Sequence, residues 1–417
     1  MSEGPGKTVY ILGAGASSGS RLIPKKDYRL DELSGAVPVN ARVPLTHEFF
    51  DGSEIPYGEL RDYLLKNFGE KEWHTRSGQR GVMEEFVKKW HERSRQNAEF
   101  SDADIELVFT RIETELFRSP RKDARLERAR YWITERIVRR LRQACEGNYS
   151  LDYMKLCQLL KPGDVIVTFN WDDLIEKALD WRSQEWYHES IVAVSQHPAW
   201  TGTRDGARVL RLDNFQKGPF PLKHALLLKL HGSVTWFACP TTDCPEHNQV
   251  YMIQKLSRSK DPVTGQEVSG DQVPEPYYED EGLLSLYCNT CGKQMVRVIV
   301  PPITFKPYED YPAVRVSWWL AYRALQHADR IVAIGYSFRE SDAYSEWLLA
   351  SAVRNRPPEK EPPLIKLVCP SNPPLMRVKD IVRDWSEVSA IKKPFSDWVD
   401  DQFEHRQVEN DATDDNG

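Results

Sequence analysis

The segment TVYILGAGASSGS, residues 8–20, joins a short apolar run to a turn rich in glycine and serine. A short apolar run that ends at a turn, such as TVYIL, is typical of a strand buried on both faces, as in a parallel sheet. Glycines directly after such a strand let the backbone turn tightly and approach a pyrophosphate at the start of a helix. The fingerprint is imperfect, because Ser18 stands where a third glycine is expected and no acidic residue ends a second strand about 20 residues later. A plain strand-to-helix turn is therefore the alternative.

Further apolar runs have the same character, and most are followed by a polar or glycine-containing turn and a helical pattern. They are DVIVTFN (164–170), ALLLKLHG (225–232), RIVAIGYS (330–337) and LIKLVCP (364–370). After the first of them, WDDLIEKAL has the apolar spacing of a helix face and acidic residues in its first turn. Strand, turn and helix in repetition predict an α/β fold with a doubly wound, Rossmann-like parallel sheet.

Two segments interrupt this alternation. Residues 55–160 contain no convincing strand, and the stretches DIELVFTRIETELF and ARLERARYWITERIVRRLRQAC place their apolar residues on one helical stripe. We therefore expect a helical insertion at 55–160 and a small zinc-binding module at 239–296. The Rossmann-like domain would then comprise residues 1–54, 161–238 and 297–400, and the acidic end, 401–417, is expected to be disordered.

The cysteines at 239–296 form two pairs, Cys239 with Cys244 and Cys288 with Cys291. In a chain without a recognisable secretory signal, such pairs favour a metal over a disulfide. Four thiolates complete a closed, tetrahedral and structural zinc site. His247, three residues after Cys244, can replace one of the four, and unmetallated thiols are the remaining alternative.

The bulk composition excludes several classes of protein. The net charge is −6, and no stretch approaches the roughly 18–20 apolar residues that span a bilayer. We expect a cytoplasmic protein without membrane contact, and direct nucleic-acid binding is not expected because the chain lacks an overall basic balance. The arginine-rich run 118–142 is interleaved with acidic residues, which indicates a solvated helix face or, alternatively, a patch for a partner.

Polar residues follow several of the predicted strands at the edge where ligands of open α/β sheets bind. Asn170 and Asp172 follow one strand, and their side chains can contact ribose hydroxyls or position a water, although Asp172 can instead cap the next helix. His231 follows another strand, where an imidazole near neutral pKa can accept a proton. A structural histidine is the alternative. The small-residue turn at Gly335 and Ser337 can contact a phosphate or ribose.

The order of these motifs resembles the sirtuin family: GAGAS, then TFNWD, LHGS, a cysteine module, GYS, and a strand that ends near Asn372. The resemblance runs from about residue 7 to residue 372. It implies that NAD binds to the residues that match the family's nucleotide site, which are Gly13, Ala14, Gly15, Ser17, Gly335, Ser337 and Asn372. It also implies that Asn170 and Asp172 contact the nicotinamide ribose or its attacking water, and that His231 is the general base.

The sequence departs from protein-deacylating sirtuins at three places. SGSRLIPKKDYR keeps Pro24 but lacks the phenylalanine that shields nicotinamide, and PPITFKPYED lacks the Gly-Glu that helps to bind an acyl-lysine peptide. The helical insertion is also foreign to those enzymes. These features resemble the bacterial sirtuin-like defence proteins, which hydrolyse NAD during phage infection.

That resemblance implies an NAD glycohydrolase that depletes NAD, with NAD as substrate and Zn²⁺ as a structural metal. It also implies a homo-oligomer and a separate partner protein such as a HerA-type ATPase. Two alternatives remain. One is an NAD-dependent protein deacylase that uses the same site, and the other is a non-catalytic nucleotide sensor or scaffold that needs neither Asn170 nor His231.

Overall fold

The structure is a computed structural model. The residues it describes are 7–26, 28–45, 109, 112–114, 116–117, 124–182, 207–210, 226–248, 250–253, 259–260, 267–268, 288, 290–301, 303, 306, 311–339, 342–371 and 373–414. Asn372 and most of the predicted insertion before residue 124 therefore lie outside the described residues.

Strands and helices alternate along much of the described chain. The strands are β1 (Thr8–Leu12), β2 (Leu22–Pro24), β3 (Asn148–Ser150), β4 (Val165–Thr168), β5 (Ala207–Leu210), β6 (Leu226–Lys229), β7 (Gly232–Ala238), β8 (Val250–Ile253), β9 (Ser259–Lys260), β10 (Glu267–Val268), β11 (Val296–Ile299), β12 (Arg330–Ile334), β13 (Leu364–Val368) and β14 (Val388–Ile391). The α-helices are α1 (Ala14–Ser18), α2 (Ala124–Cys145), α3 (Leu151–Leu159), α4 (Leu174–Arg182), α5 (Pro312–His327), α6 (Ala343–Arg354), α7 (Pro373–Val382) and α8 (Phe395–Asp414). Short 3-10 helices lie at Leu30–Gly35, Pro245–Asn248 and Arg383–Trp385.

Six strands form a parallel sheet in the order β14-β13-β12-β1-β4-β6. Chain order therefore runs outward from β1 first through β4 and β6 and then through β12, β13 and β14. This is the doubly wound arrangement, in which the direction of winding reverses between β1 and β12. The predicted fold class is confirmed, and the crevice at this reversal lies at the carboxyl ends of β1 and β12.

The outermost strand, β14, was not among the predicted strands. Its burial alternates instead of being continuous, because Val388 is buried while Ser389 is exposed and the next two residues are half-buried. An edge strand with one partner lacks the apolar run that marks the central strands, so periodicity alone missed it.

A second sheet of four antiparallel strands, in the order β11-β7-β8-β5, adjoins the first. It includes residues 232–238 and 296–299, most of which we had assigned to the Rossmann-like domain. The chain changes sheets at Gly232, whose φ of +77° and close approach to Val298 leave no room for a side chain. His231 therefore lies at the junction of the two sheets, with its carbonyl accepting a hydrogen bond from Val300 N at 2.9 Å.

The described part of the helical insertion confirms the predicted helix in α2, but the expectation of no strand at 55–160 is wrong, because β3 lies in this range and pairs with β2. The apolar stripe expected for ARLERARYWITERIVRRLRQAC consists of Leu126, Trp132, Ile133, Ile137 and Leu141, and helix α2 buries Leu126, Ile133, Ile137 and Leu141. The side chain of the fifth, Trp132, lies outside the description, as do Ile105 and Val108 of the preceding stretch.

The expectation of a disordered acidic end at 401–417 is wrong for residues 401–414, which continue helix α8. Apolar residues anchor this helix, since Phe403 is buried and its neighbours Trp398 and Val399 are buried one turn earlier. Arg406 also donates a hydrogen bond from Nη1 to Gln158 O at 2.5 Å. The prediction failed because it rested on the acidic composition of the segment and did not consider that one face of the helix is apolar and buried. None of the helices within the described ranges combines the length and apolar character of a bilayer span.

Candidate functional site

Two glycine turns meet at the reversal point of the parallel sheet. Gly13 N donates to Ile334 O at 3.0 Å, and Gly15 N donates to Gly335 O at 2.9 Å. Gly335 has φ +59°, and a Cβ there would lie 2.1 Å from Ala16 N, while a Cβ on Gly13 would lie 2.6 Å from Gly335 O. The close packing of the two turns therefore requires the glycines, whether or not a ligand binds.

The structure brings most of the predicted nucleotide-binding residues to this crevice. Ala14 and Gly15 are half-buried at the first turn, and Ser337 is exposed two residues after Gly335 at the second. Ser17 differs, because its side chain is 1% exposed and faces inward. Its hydroxyl contacts protein groups, which makes it a support for neighbouring residues and not an obvious ligand contact. Asn372 lies outside the described residues.

Asn170 is anchored against the first glycine turn. Its Nδ2 donates to Gly13 O and to Ser17 Oγ, both at 2.9 Å. Because a carbonyl oxygen only accepts, the atom that faces Gly13 must be Nδ2 and not Oδ1. The two N–H groups are thus occupied, and Oδ1 accepts no hydrogen bond from another described residue. Asn170 therefore presents an acceptor oxygen at this edge of the sheet.

Asp172 is buried and caps helix α4, with Oδ1 accepting from Leu174 N at 3.2 Å. Asp172 therefore does cap the helix, which was the alternative role expected from the sequence. The cap uses Oδ1 and not Oδ2. Burial raises the pKa of Asp172, and the charge of Lys229 opposes that rise.

Lys229 is a fully buried cation that sequence reasoning did not assign to the site. Its Nζ donates to Asp172 O at 2.5 Å and to Glu176 Oε1 at 2.8 Å, and both side chains of the ion pair are at most 2% exposed. Ser233 Oγ donates to Trp171 O at 3.3 Å, which lies next to Asp172 in the loop between β4 and α4. The strand that leads to His231 and the loop that carries Asn170 are therefore tied together by buried polar contacts.

His231 is buried at the end of the same strand, in an aromatic environment. Its ring lies edge-on to Phe169, with centroids 5.2 Å apart, and 6.4 Å from Trp318. Nε2 is buried and has no hydrogen-bond partner among the described residues. A buried polar atom without a partner is costly, so it marks a place where a ligand or water can bind.

Burial is the main reason why the imidazole of His231 stays neutral. Burial, reinforced by the positive charge of Lys306, lowers the pKa of His231 to about 3, while Asp342 and a hydrogen bond to the Phe169 backbone oppose the shift. We assign the single proton of the neutral ring to Nδ1, the tautomer that leaves Nε2 unprotonated. At neutral pH the lone pair of Nε2 is then available to accept a proton.

Lys306, Asp342 and Tyr336 form a polar cluster beside His231 that sequence reasoning missed. Lys306 Nζ donates to Asp342 Oδ1 at 2.8 Å, and Tyr336 OH donates to Asp342 Oδ2 at 2.5 Å. The Tyr336 ring stacks on Phe169 with centroids 4.3 Å apart. Burial favours a neutral Asp342, but the electrostatic interactions with His231 and Lys306 and the two hydrogen bonds hold its pKa below the ordinary value. For this cluster the sequence offered one indication, which is that Tyr336 lies within the GYS turn.

The four paired cysteines form one cluster at the end of the second sheet. Their sulfur atoms all lie within 4.8 Å of one another, with Cys239 and Cys291 3.5 Å apart and Cys244 and Cys288 3.7 Å apart. A tetrahedral zinc with Zn–S bonds of about 2.3 Å requires sulfur separations of about 3.8 Å. The cluster therefore has the chemistry and spacing of a Cys₄ zinc site.

His247 is not part of this cluster. Its Nδ1 instead forms a 2.9 Å hydrogen bond with the carbonyl of Cys239, which makes it a support for the loop and not a replacement ligand. The turn that carries Cys288 and Cys291 is closed by a backbone hydrogen bond from Gly292 N to Cys288 O at 2.8 Å.

Comparison with known proteins finds similarity to solved structures but to no family model and no curated protein. Among solved structures, a Sir2 homologue in complex with ADP-ribose aligns over 97% of this chain and 93% of its own, with 14% identity and a TM-score of 0.35. A Sir2 homologue–NAD complex aligns over 96% and 90%, with 13% identity and a TM-score of 0.39.

A Sir2 structure with a p53 peptide and NAD⁺ aligns over 96% of this chain and 94% of its own, with 12% identity and a TM-score of 0.38. These structural neighbours are Sir2 proteins, the family that the sequence motifs resemble. Similarity at this level does not assign a family or an activity, so the function has to be inferred from the residues of this chain.

Proposed function

We propose that this protein is an NAD⁺ glycohydrolase, which cleaves the nicotinamide–ribose bond and releases nicotinamide and ADP-ribose. The observation that carries the proposal is the buried Nε2 of His231, which lacks a partner beside the crevice between the two glycine turns. A neutral imidazole nitrogen without a protein partner can accept a proton from a bound substrate or water, and this capacity supports catalysis over the sensor or scaffold alternative.

The chain's residues have distinct roles in the proposed reaction. The pyrophosphate would lie at the turn of Gly13 and Gly15, and the acceptor oxygen of Asn170 would orient the attacking water. As the C–N bond to nicotinamide breaks through an oxocarbenium-like state, a new C–O bond forms to water. The water's proton passes to Nε2 of His231, and the carboxylate of Asp342 stabilises the resulting imidazolium.

The finer assignments rest on the sequence resemblance. We propose that Asp172 holds the ribose end of the substrate, that Ser337 and Asn372 contribute to the nucleotide site, and that the cysteine cluster binds structural zinc. On the same basis we propose a bacterial antiphage effector that works as a homo-oligomer with a separate partner such as a HerA-type ATPase.

Chromatographic analysis of products after incubation with NAD⁺ tests this function. The wild type should yield nicotinamide and ADP-ribose without any peptide, and His231→Ala should yield neither. His327→Ala is the matched control, since His327 is a half-buried histidine on α5 whose Nδ1 hydrogen-bonds within its own helix, to Arg323 O at 2.9 Å. Full activity of His231→Ala would exclude the mechanism, and nicotinamide release only with an acyl-lysine peptide would select the deacylase alternative.

A further inference from the structure

We propose that Tyr153 is a positioning residue for the reaction, because its hydroxyl, acting through Ser17, fixes the orientation of the Asn170 amide. The inference rests on the proposed function for its catalytic consequence, but the contacts themselves are independent of it. Tyr153 was not among the candidates that the sequence offered.

The contacts form a closed group beneath the first glycine turn. Tyr153 OH lies 2.9 Å from Ser17 Oγ and 3.4 Å from Asn170 Nδ2, and Asn170 Nδ2 donates to Ser17 Oγ. All three residues are at most 7% exposed. The Ser17 hydroxyl therefore has two neighbours that share its oxygen, and solvent does not compete with them.

The direction of the protons follows from the acceptors available. Either hydroxyl can donate in the 2.9 Å contact between Tyr153 OH and Ser17 Oγ. We assign Tyr153 as the donor, since the Ser17 proton is then available to Asp172, whose ionised form Ser17 favours. Ser17 Oγ is then held as the acceptor for Asn170 Nδ2, which turns Oδ1 toward the site.

Tyr153 is itself held rigidly at the start of α3. Ser150 caps this helix by accepting from Tyr153 N at 3.0 Å, and it donates to Ser20 Oγ at 2.9 Å. Arg21 N donates to Asp152 at 2.7 Å, so the first turn of α3 is tied to the segment that follows the glycine turn. Such support from backbone and capping contacts is what a positioning group requires.

Tyr153→Phe removes one oxygen and keeps the packed ring. We expect kcat for NAD⁺ hydrolysis to fall about tenfold with little change in KM, because the lost hydrogen bond orients the Asn170 amide that positions the water in the transition state and does not bind the substrate. Tyr10→Phe is the matched control: it removes the hydroxyl of another buried tyrosine, on β1 of the parallel sheet, and that hydroxyl contacts neither Ser17 nor Asn170. Its kcat should equal that of the wild type.

A second measurement does not depend on activity. In protein labelled with ¹⁵N-asparagine, the Asn170 side-chain signal is assigned from its loss in Asn170→Asp, and its hydrogen exchange with water is followed. Exchange should become about tenfold faster in Tyr153→Phe. Asn148, whose Nδ2 donates to Ala144 O at 3.2 Å, is the internal reference and should not change.

The outcomes separate the two proposals. Unchanged exchange at Asn170, or a kcat loss no larger than that of Tyr10→Phe, would overturn the role of Tyr153. If the wild type releases no nicotinamide, the proposed function fails, and the exchange measurement alone decides whether Tyr153 positions Asn170.

Discussion

The buried ion pair of Lys229 and Glu176 allows a quantitative prediction. In Lys229→Met, the carboxylate of Glu176 stays buried without its cation, and removal of one partner of such a pair costs about 3–5 kcal/mol. With an unfolding entropy of about 2.1 cal/mol/K per residue, 1 kcal/mol corresponds to about 1 °C for a chain of 417 residues. We therefore expect the melting temperature to fall by about 3–5 °C at pH 8.

The penalty should depend on pH. Burial raises the pKa of Glu176 from 4.5 to about 7 even with Lys229 present, so the folded state holds a proton that the unfolded state has lost. Stability from this group is present at low pH and declines as pH rises through the folded pKa. Loss of the Lys229 charge raises that pKa further and extends the decline to higher pH. At about 1.36 kcal/mol per pH unit, the penalty should be about 1.4 kcal/mol smaller at pH 6 than at pH 8.

Thermal unfolding followed by circular dichroism at pH 6, 7 and 8 measures this difference. The double variant Lys229→Met with Glu176→Gln removes both charges and should recover most of the stability and lose the added pH dependence. Lys155→Met is the matched control, because its partner Asp400 keeps a 30% exposed side chain and can be hydrated. An equal penalty for Lys229→Met at pH 6 and 8, or a double variant no more stable than the single one, would refute the reasoning.

Other predictions address the glycine turns, the cysteine cluster and the proposed base. Gly335→Ala should lower the melting temperature and abolish ADP-ribose binding measured by calorimetry, whereas Gly147→Ala, also at positive φ but with open space around it, should cost only about 1–2 kcal/mol. Metal analysis should find about one zinc per chain, and its removal by a chelator should lower the melting temperature. Lys306→Met should raise the pKa of His231 by removing a nearby positive charge, so the acid limb of the pH–rate profile should move to higher pH.

The centre of the parallel sheet could be predicted because β1, β4, β6 and β12 are largely buried on both faces and therefore appear as apolar runs. The same logic placed Asn170 and His231 at one edge, since parallel strands end together. The cysteine cluster could also be predicted from the spacing in sequence, because the two pairs of cysteines come together in one cluster in the structure.

Other features depend on contacts between distant segments and leave no local pattern. The edge strand β14 lacks a continuous apolar run, and the second sheet pairs strands that lie far apart in sequence, such as β5 with β8. Lys229 lies within an apolar strand, and only its contact with Glu176, 53 residues away in sequence, explains its burial. Tyr153 reaches Ser17 across 136 residues, so no motif could have connected them.

The central claim is that water, activated at His231, attacks the ribose carbon of NAD⁺. Mass spectrometry of ADP-ribose formed in H₂¹⁸O, without any acyl-lysine peptide, tests this claim most directly. We predict one ¹⁸O atom in each ADP-ribose formed by the wild type and no product from His231→Ala. Binding of NAD⁺ without turnover, or nicotinamide release that requires an acyl-lysine peptide, would contradict the account.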